Sequence, residues 1–141
     1  MSQDRNNTDR RKAKRLPISA EGMLTILVPE ETFTPQVVRC VATDISMSGM
    51  RLKSYQLGKN DYLQMLKGLR HAKVALDLPY LDAPLQVRAM IVWVEYHDGT
   101  GKDRQEHCVL GLSFTHRDDS VLQRLEYVID RLTAESGSAR P

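Results

Sequence analysis

The sequence predicts an all-β core with α additions: a small six-stranded antiparallel β-barrel, its open side or end covered by a C-terminal amphipathic helix, with a short helix around residues 60–70. Three observations carry that expectation. Six segments alternate apolar and polar residues at the period of a half-buried strand. The stretches between them are punctuated by Pro, Gly, Asn and Asp. From Asp118 onward, a longer segment keeps its apolar residues on one helical face.

Residues 1–9 are polar and aperiodic and read as a flexible tail. The first strand is expected at Met23 to Val28, with Leu24, Ile26 and Val28 on one side and Pro29 ending it. Gln36 to Thr43 is a β-rich run (Val37, Val38, Cys40, Val41) that feeds the turn Asp44-Ile45-Ser46-Met47-Ser48-Gly49, and alternation resumes at Met50-Arg51-Leu52-Lys53. That turn is therefore held between two strands. Residues 57–72 suggest a short helix, with Asn60 or Asp61 as cap, Gln64 three residues after Asp61, and Leu63, Leu66 and Leu69 at helical spacing. Strands follow at Lys73 to Leu78 and at Leu85 to Glu95, around a turn bracketed by Pro79 and Pro84. The polar stretch His97 to Glu106 reads as the tip of a hairpin whose second strand is His107 to Thr115. Asp118 or Asp119 then caps a helix over 118–134 that presents Val121, Leu122, Leu125, Val128, Ile129 and Leu132 on one face, and 135–141 is expected as a disordered tail.

The 141 residues suit one domain, expected at 10–134, because domains of roughly 100 to 150 residues are the commonest. With 41% hydrophobic and 27% charged residues, the composition is that of an ordinary globular chain with a packed core. The longest apolar runs, such as Ala89 to Val94, fall well short of the roughly 20 residues that span a bilayer. The polar N-terminus does not resemble a secretory signal, so a cytoplasmic location is expected. Cys40 and Cys108, 68 residues apart in apolar runs, favour buried thiols over a disulfide or metal framework, with a disulfide between paired strands left open.

Charge is unevenly placed. The chain carries a formal +2, but residues 1–15 hold six basic side chains (Arg5, Arg10, Arg11, Lys12, Lys14, Arg15) against Asp4 and Asp9, 6 − 2 = +4, which leaves 2 − 4 = −2 for the rest. A basic arm on a mildly acidic body points to an anionic partner: a nucleotide, nucleic acid or a membrane surface. No nucleophile elbow, His-Glu-x-x-His, P-loop or Cys-x-x-Cys is present, and His71, His97, His107 and His116 lack metal-ligand spacing, so the chain is expected to bind and not to catalyse, with no metal and no cofactor.

Two motifs could hold the anion. Arg11 and Arg15 stand at i and i+4 beside Arg10, Lys12 and Lys14. A solvated basic tail is the ordinary explanation of such a run, but Pro17 and the strand signals behind it bring this one into the fold. Arginine forks bind phosphate bidentately and read guanine O6 and N7. Asp44 can accept from guanine N1 and N2 hydrogens, Ser46 can donate or accept beside it, and Gly49 would supply a positive φ or close backbone approach to the ligand. A plain β-turn held by an Asx hydrogen bond needs the same residue types, and by itself the turn favours that explanation.

Together, Arg11-Lys12-Ala13-Lys14-Arg15 and Asp44-Ile45-Ser46-Met47-Ser48-Gly49 resemble the Arg-x-x-x-Arg and Asp/Asn-x-Ser-x-x-Gly pair of PilZ domains, bacterial receptors for cyclic di-GMP. The resemblance extends over about residues 10–132, through the Trp93 strand, Val109 to Phe114 and the closing helix. It implies a standalone second-messenger receptor in which Arg11 and Arg15 grip phosphates and guanine edges, Asp44 and Ser46 hold a guanine, and Gly49 shapes the turn. Arg10 occupies the place where a basic residue goes with a stacked pair of ligands, which implies two cyclic di-GMP molecules per chain. Trp93 lies on a strand that can face the ligand in the family, although a core tryptophan is the blander explanation. Met50 stands where many members have a second glycine, and the helical segment at 57–72 exceeds a plain connection and is a candidate partner surface.

The resemblance also implies a downstream protein that reads the ligand-induced change. Two other readings stand beside it: a PilZ-like adaptor acting through protein contacts without nucleotide, and a nucleic-acid-binding barrel. The last is weakest, because the chain is only 6% aromatic and its body is net negative, so specific nucleic acid is not expected as a partner.

Overall fold

The computed structural model describes residues 14–27, 36–68, 70–102, 104–115 and 118–138. The expected N-terminal tail, Val28 and Pro29, Leu69, His116 and the last three residues lie outside them. Within them the chain forms β1 (Leu16–Leu27), β2 (Gln36–Ile45), β3 (Gly49–Ser54), α1 (Lys59–Met65), β4 (Arg70–Leu76), β5 (Leu85–His97), β6 (His107–Phe114) and α2 (Asp119–Ser138). The strands close into an antiparallel barrel in the order β1-β2-β3-β6-β5-β4, with β4 pairing back onto β1. The expected six-stranded barrel with two helices is thus the observed architecture.

Alternation builds its core. Leu24 and Ile26 of β1, Val38, Cys40 and Ala42 of β2, Val74 and Leu76 of β4, and Leu110 and Leu112 of β6 all point inward and are buried. Closure gives every strand two neighbours over at least part of its length, which limits the unpaired edge that could template aggregation. Helix α2 packs Leu125 and Val128 onto the barrel, with Val121, Ile129 and Leu132 partly covered, as the helical spacing predicts. Asp118 caps it by accepting the Val121 N–H at 2.9 Å, and the helix runs on to Ser138, past the expected limit at residue 134, with the Thr133 hydroxyl donating to the Ile129 carbonyl.

Two expectations about elements need correction. β1 starts at Leu16, well before Met23, because residues 16–21 pair with β2 alone and Pro17, lacking an N–H, is tolerated where only one neighbour must be satisfied. α1 covers only Lys59–Met65, and Leu63 and Leu66 are exposed; the buried anchors are Leu57 and Met65, with Tyr62 stacked on Tyr96. Asp61 caps from inside the first turn, its two carboxylate oxygens accepting from the Gly58 N–H at 2.9 Å and from the Gln36 side chain at 3.1 Å. That second contact ties α1 to the start of β2, fixing the helix face independently of the leucine spacing.

Candidate ligand-binding site

Three register shifts fall on the strands of one patch of the outer wall: between Pro17 and Ala20 in β1, between Ala42 and Asp44 in β2, and between Ile91 and Trp93 in β5. Each matters because strand side chains alternate faces, so one extra residue reverses the direction of all that follow. In β2, Val38, Cys40 and Ala42 point inward, and simple alternation would send Asp44 into the core. The extra residue, Thr43, turns Asp44 outward and buries Ile45 completely. In β5, Leu85, Val87, Ala89 and Ile91 point inward, and the irregularity after Ile91 likewise brings Trp93 to the outside, half-buried. The core tryptophan is therefore not what forms.

Register then aligns the patch. Pro17 faces Asp44, Asp44 faces Arg51, Arg51 faces Gly111, and Gly111 faces Trp93, a single row across five strands. Because β1 begins at Leu16, opposite Ile45, the preceding Arg15 reaches Asp44: its guanidinium donates to Asp44 Oδ1 at 2.8 Å. Arg51 Nε approaches Asp44 Oδ2 at 3.6 Å, and its guanidinium carbon lies 5.4 Å from the centroid of the Trp93 ring. Gly111 makes this possible, since a Cβ there would overlap the indole. Asp44 is thus shared by two arginines whose side chains are about half exposed, 45% and 47%, while its own is only 18% exposed.

The turn below Asp44 is organised by Ser46, which is 1% exposed. Its Oγ accepts from the N–H groups of Ser48 and Gly49, each at 3.2 Å, and its N–H donates to the Gly49 carbonyl at 2.8 Å. Ser48 in turn accepts from the Phe114 N–H at 2.9 Å, fastening the turn to β6. The local bond is therefore made by the serine and not by an Asx interaction of Asp44, which leaves that carboxylate free to face the arginines. Gly49 does not take a positive φ; its close approach is to the Leu112 carbonyl, which an added Cβ would overlap.

Of the residues singled out in the sequence, Arg15, Asp44, Ser46, Gly49 and Trp93 come together here, while Arg10 and Arg11 lie outside the described residues. Sequence reasoning missed Arg51. Its outward place in the Met50–Lys53 alternation was readable, but its position opposite Asp44 depends on the β2 bulge.

Elsewhere the chemistry is structural. Cys40 and Cys108 are free and buried, and burial pushes both thiols up to about 11, away from thiolate reactivity at neutral pH. His97 and His107 face each other across β5 and β6 with rings stacked at 4.7 Å. Among the described residues no group of three or more His, Cys, Asp or Glu is placed to hold a metal ion, and no helix is long and apolar enough to cross a membrane.

Comparison with known proteins gives this arrangement its kinship. The PilZ domain family model matches residues 9–131. The c-di-GMP-bound PilZ domain of YcgR from Escherichia coli is similar in fold, with a TM-score of 0.62 at 16% identity over 90% of this chain and 94% of that one. PlzA from Borreliella burgdorferi, in complex with c-di-GMP, gives a TM-score of 0.57 at 13% identity over 99% of this chain and 58% of its own. The MrkH–c-di-GMP complex of K. pneumonia gives 0.58 at 14% identity over 90% and 54%. This chain therefore spans little more than half of the last two. A search of curated proteins finds no match. With a family match over most of its length, the chain belongs to the PilZ domain family.

Proposed function

We propose that this domain is a non-enzymatic receptor for cyclic di-GMP that passes a ligand-dependent change to a downstream protein in a bacterial cytoplasm. One observation carries the reading: the Arg15–Asp44–Arg51–Trp93 row places phosphate-binding forks, a guanine-edge acceptor and an aromatic face side by side. Binding is an exchange. The Arg15–Asp44 pair, with its arginine half exposed to solvent, is worth about 0–1 kcal/mol, whereas each charge-assisted hydrogen bond to the ligand contributes about 1.5–3 kcal/mol. Arg15 turns to a phosphate or to guanine O6 and N7, freeing Asp44 for the N1 and N2 hydrogens. Arg10 and Arg11, from the segment entering at Arg15, close over the ligand, Ser46 and Gly49 hold the turn, and Trp93 with Arg51 offers a stacking surface for a second, intercalated molecule. The domain so defined runs from residue 10 through the end of α2 at Ser138.

Calorimetric titration with cyclic di-GMP, GTP and cyclic di-AMP tests this. The expected outcome is selective binding of cyclic di-GMP with two molecules per chain; a single molecule would remove the stacked pair, and equal or absent binding of all three would remove the receptor. The adaptor reading is favoured by a different observation: Arg15 and Asp44 already satisfy each other, and the Ser46 hydroxyl is committed to its own turn. It gains if Arg15→Ala and Asp44→Ala leave partner binding intact.

A further inference from the structure

The Lys73–Arg88 part of the wall formed by β4 and β5, which β1 and β6 separate from β2 and β3, carries charge of one sign. Thr25, Lys73 and Arg88 form one outward row, with Lys73 and Arg88 directly opposed. Like charges so placed repel across a strand pair. Arg124, one turn into α2, lines the same groove, which has a volume of about 660 Å3. Among the described residues, no carboxylate forms an ion pair with Lys73, Arg88 or Arg124. Asp119, exposed in the first turn of α2, is the acidic group at this end of the helix, and Asp118 is engaged as its cap.

We infer that this groove is a docking site for an acidic peptide segment of a partner protein. Its chemistry selects among anions. The lining contains no aromatic residue, so it offers no platform on which nucleic-acid bases stack. It does contain an apolar shelf of Met23, 44% exposed, with Ala75, Pro84 and Val121, which suits the aliphatic side chains of a peptide and the adaptability of methionine at recognition surfaces. Met23 and Thr25 of β1 and Lys73–Ala75 of β4 are paired on both sides, so along them the peptide is held by side chains and charge and not by strand addition. The groove shares no residue with the Arg15–Asp44 row. The inference is therefore independent of the nucleotide reading and stands or falls separately from it.

The test is fluorescence anisotropy of a fluorescein-labelled peptide of repeating Glu-Asp-Leu, titrated with the full chain, beside a Lys-Gln-Leu peptide and labelled oligodeoxythymidine. The acidic peptide is expected to bind best, more weakly as salt rises, and to lose at least roughly tenfold in affinity with Arg88→Glu or Arg124→Glu. Arg15→Ala is expected to leave peptide binding unchanged. Should a charge reversal unfold the barrel, Arg88→Gln and Lys73→Gln give the same reading, and Lys73→Arg is expected to retain affinity. Absent peptide binding, binding indifferent to these substitutions, loss with Arg15→Ala, or tighter oligonucleotide binding would each overturn the assignment.

Discussion

The two sides of this barrel treat charge in opposite ways. On the β2–β3 side, three charged residues alternate in sign across neighbouring strands, and Asp44 is shared by Arg15 and Arg51. On the β4–β5 side, Lys73 and Arg88 meet head-on with Arg124 beside them. The first arrangement is partly neutralised from within, two arginines sharing one carboxylate, and the proposed ligand would enter it by exchanging partners. The second leaves a repulsion that an external anion relieves. Both sit on pleated walls, but the first depends on the bulges in β2 and β5 and the second on unbroken register, so the difference lies in which residue types the backbone pairing brings together.

That contrast can be broken most severely at the glycine that seats the 44–49 turn. Gly49→Ala would drive a Cβ into the Leu112 carbonyl, so a destabilisation of about 2–4 kcal/mol is expected by denaturant titration, with nucleotide binding lost as the turn shifts. Gly68→Ala is the matched control: nothing lies within 4 Å, and a change within about 0.5 kcal/mol is expected.

Next in size is the exchange itself. Arg15→Ala and Asp44→Ala should each weaken cyclic di-GMP by roughly 10- to 100-fold, the loss of one or two charge-assisted hydrogen bonds. A double-mutant cycle on the unliganded protein should find only about 0.2–1 kcal/mol between the two residues, because the Arg15 end of the pair is half exposed. A coupling of several kcal/mol would mean that the pair is a structural clasp and that the nucleotide does not displace it.

The smallest effect is on the other wall. Lys73→Ala removes a repulsion, so thermal unfolding should show a gain of about 0.2–1 kcal/mol at low salt, fading as salt screens the cations. A loss of stability instead would show that Lys73 is compensated in solution and that the two walls are not different in kind.

Sequence alone determined the strand count, the α2 face through Leu125 and Val128, and the candidacy of Arg15, Asp44 and Ser46, because alternation, helical spacing and short motifs are local properties of the chain. It misjudged α1, where Leu63 and Leu66 have the right spacing yet face solvent, because Asp61 and Tyr62 orient the helix through contacts with β2 and β5. Only the tertiary structure decided how the site is assembled. Arg51 meets Asp44 and Trp93 leaves the core because bulges at Thr43 and after Ile91 reverse the alternation, and the Gly111 shelf lies on a strand remote in sequence from Arg51. A bulge is set by pairing with a neighbouring strand, and cross-strand register is a non-local quantity, so periodicity within one segment cannot report it.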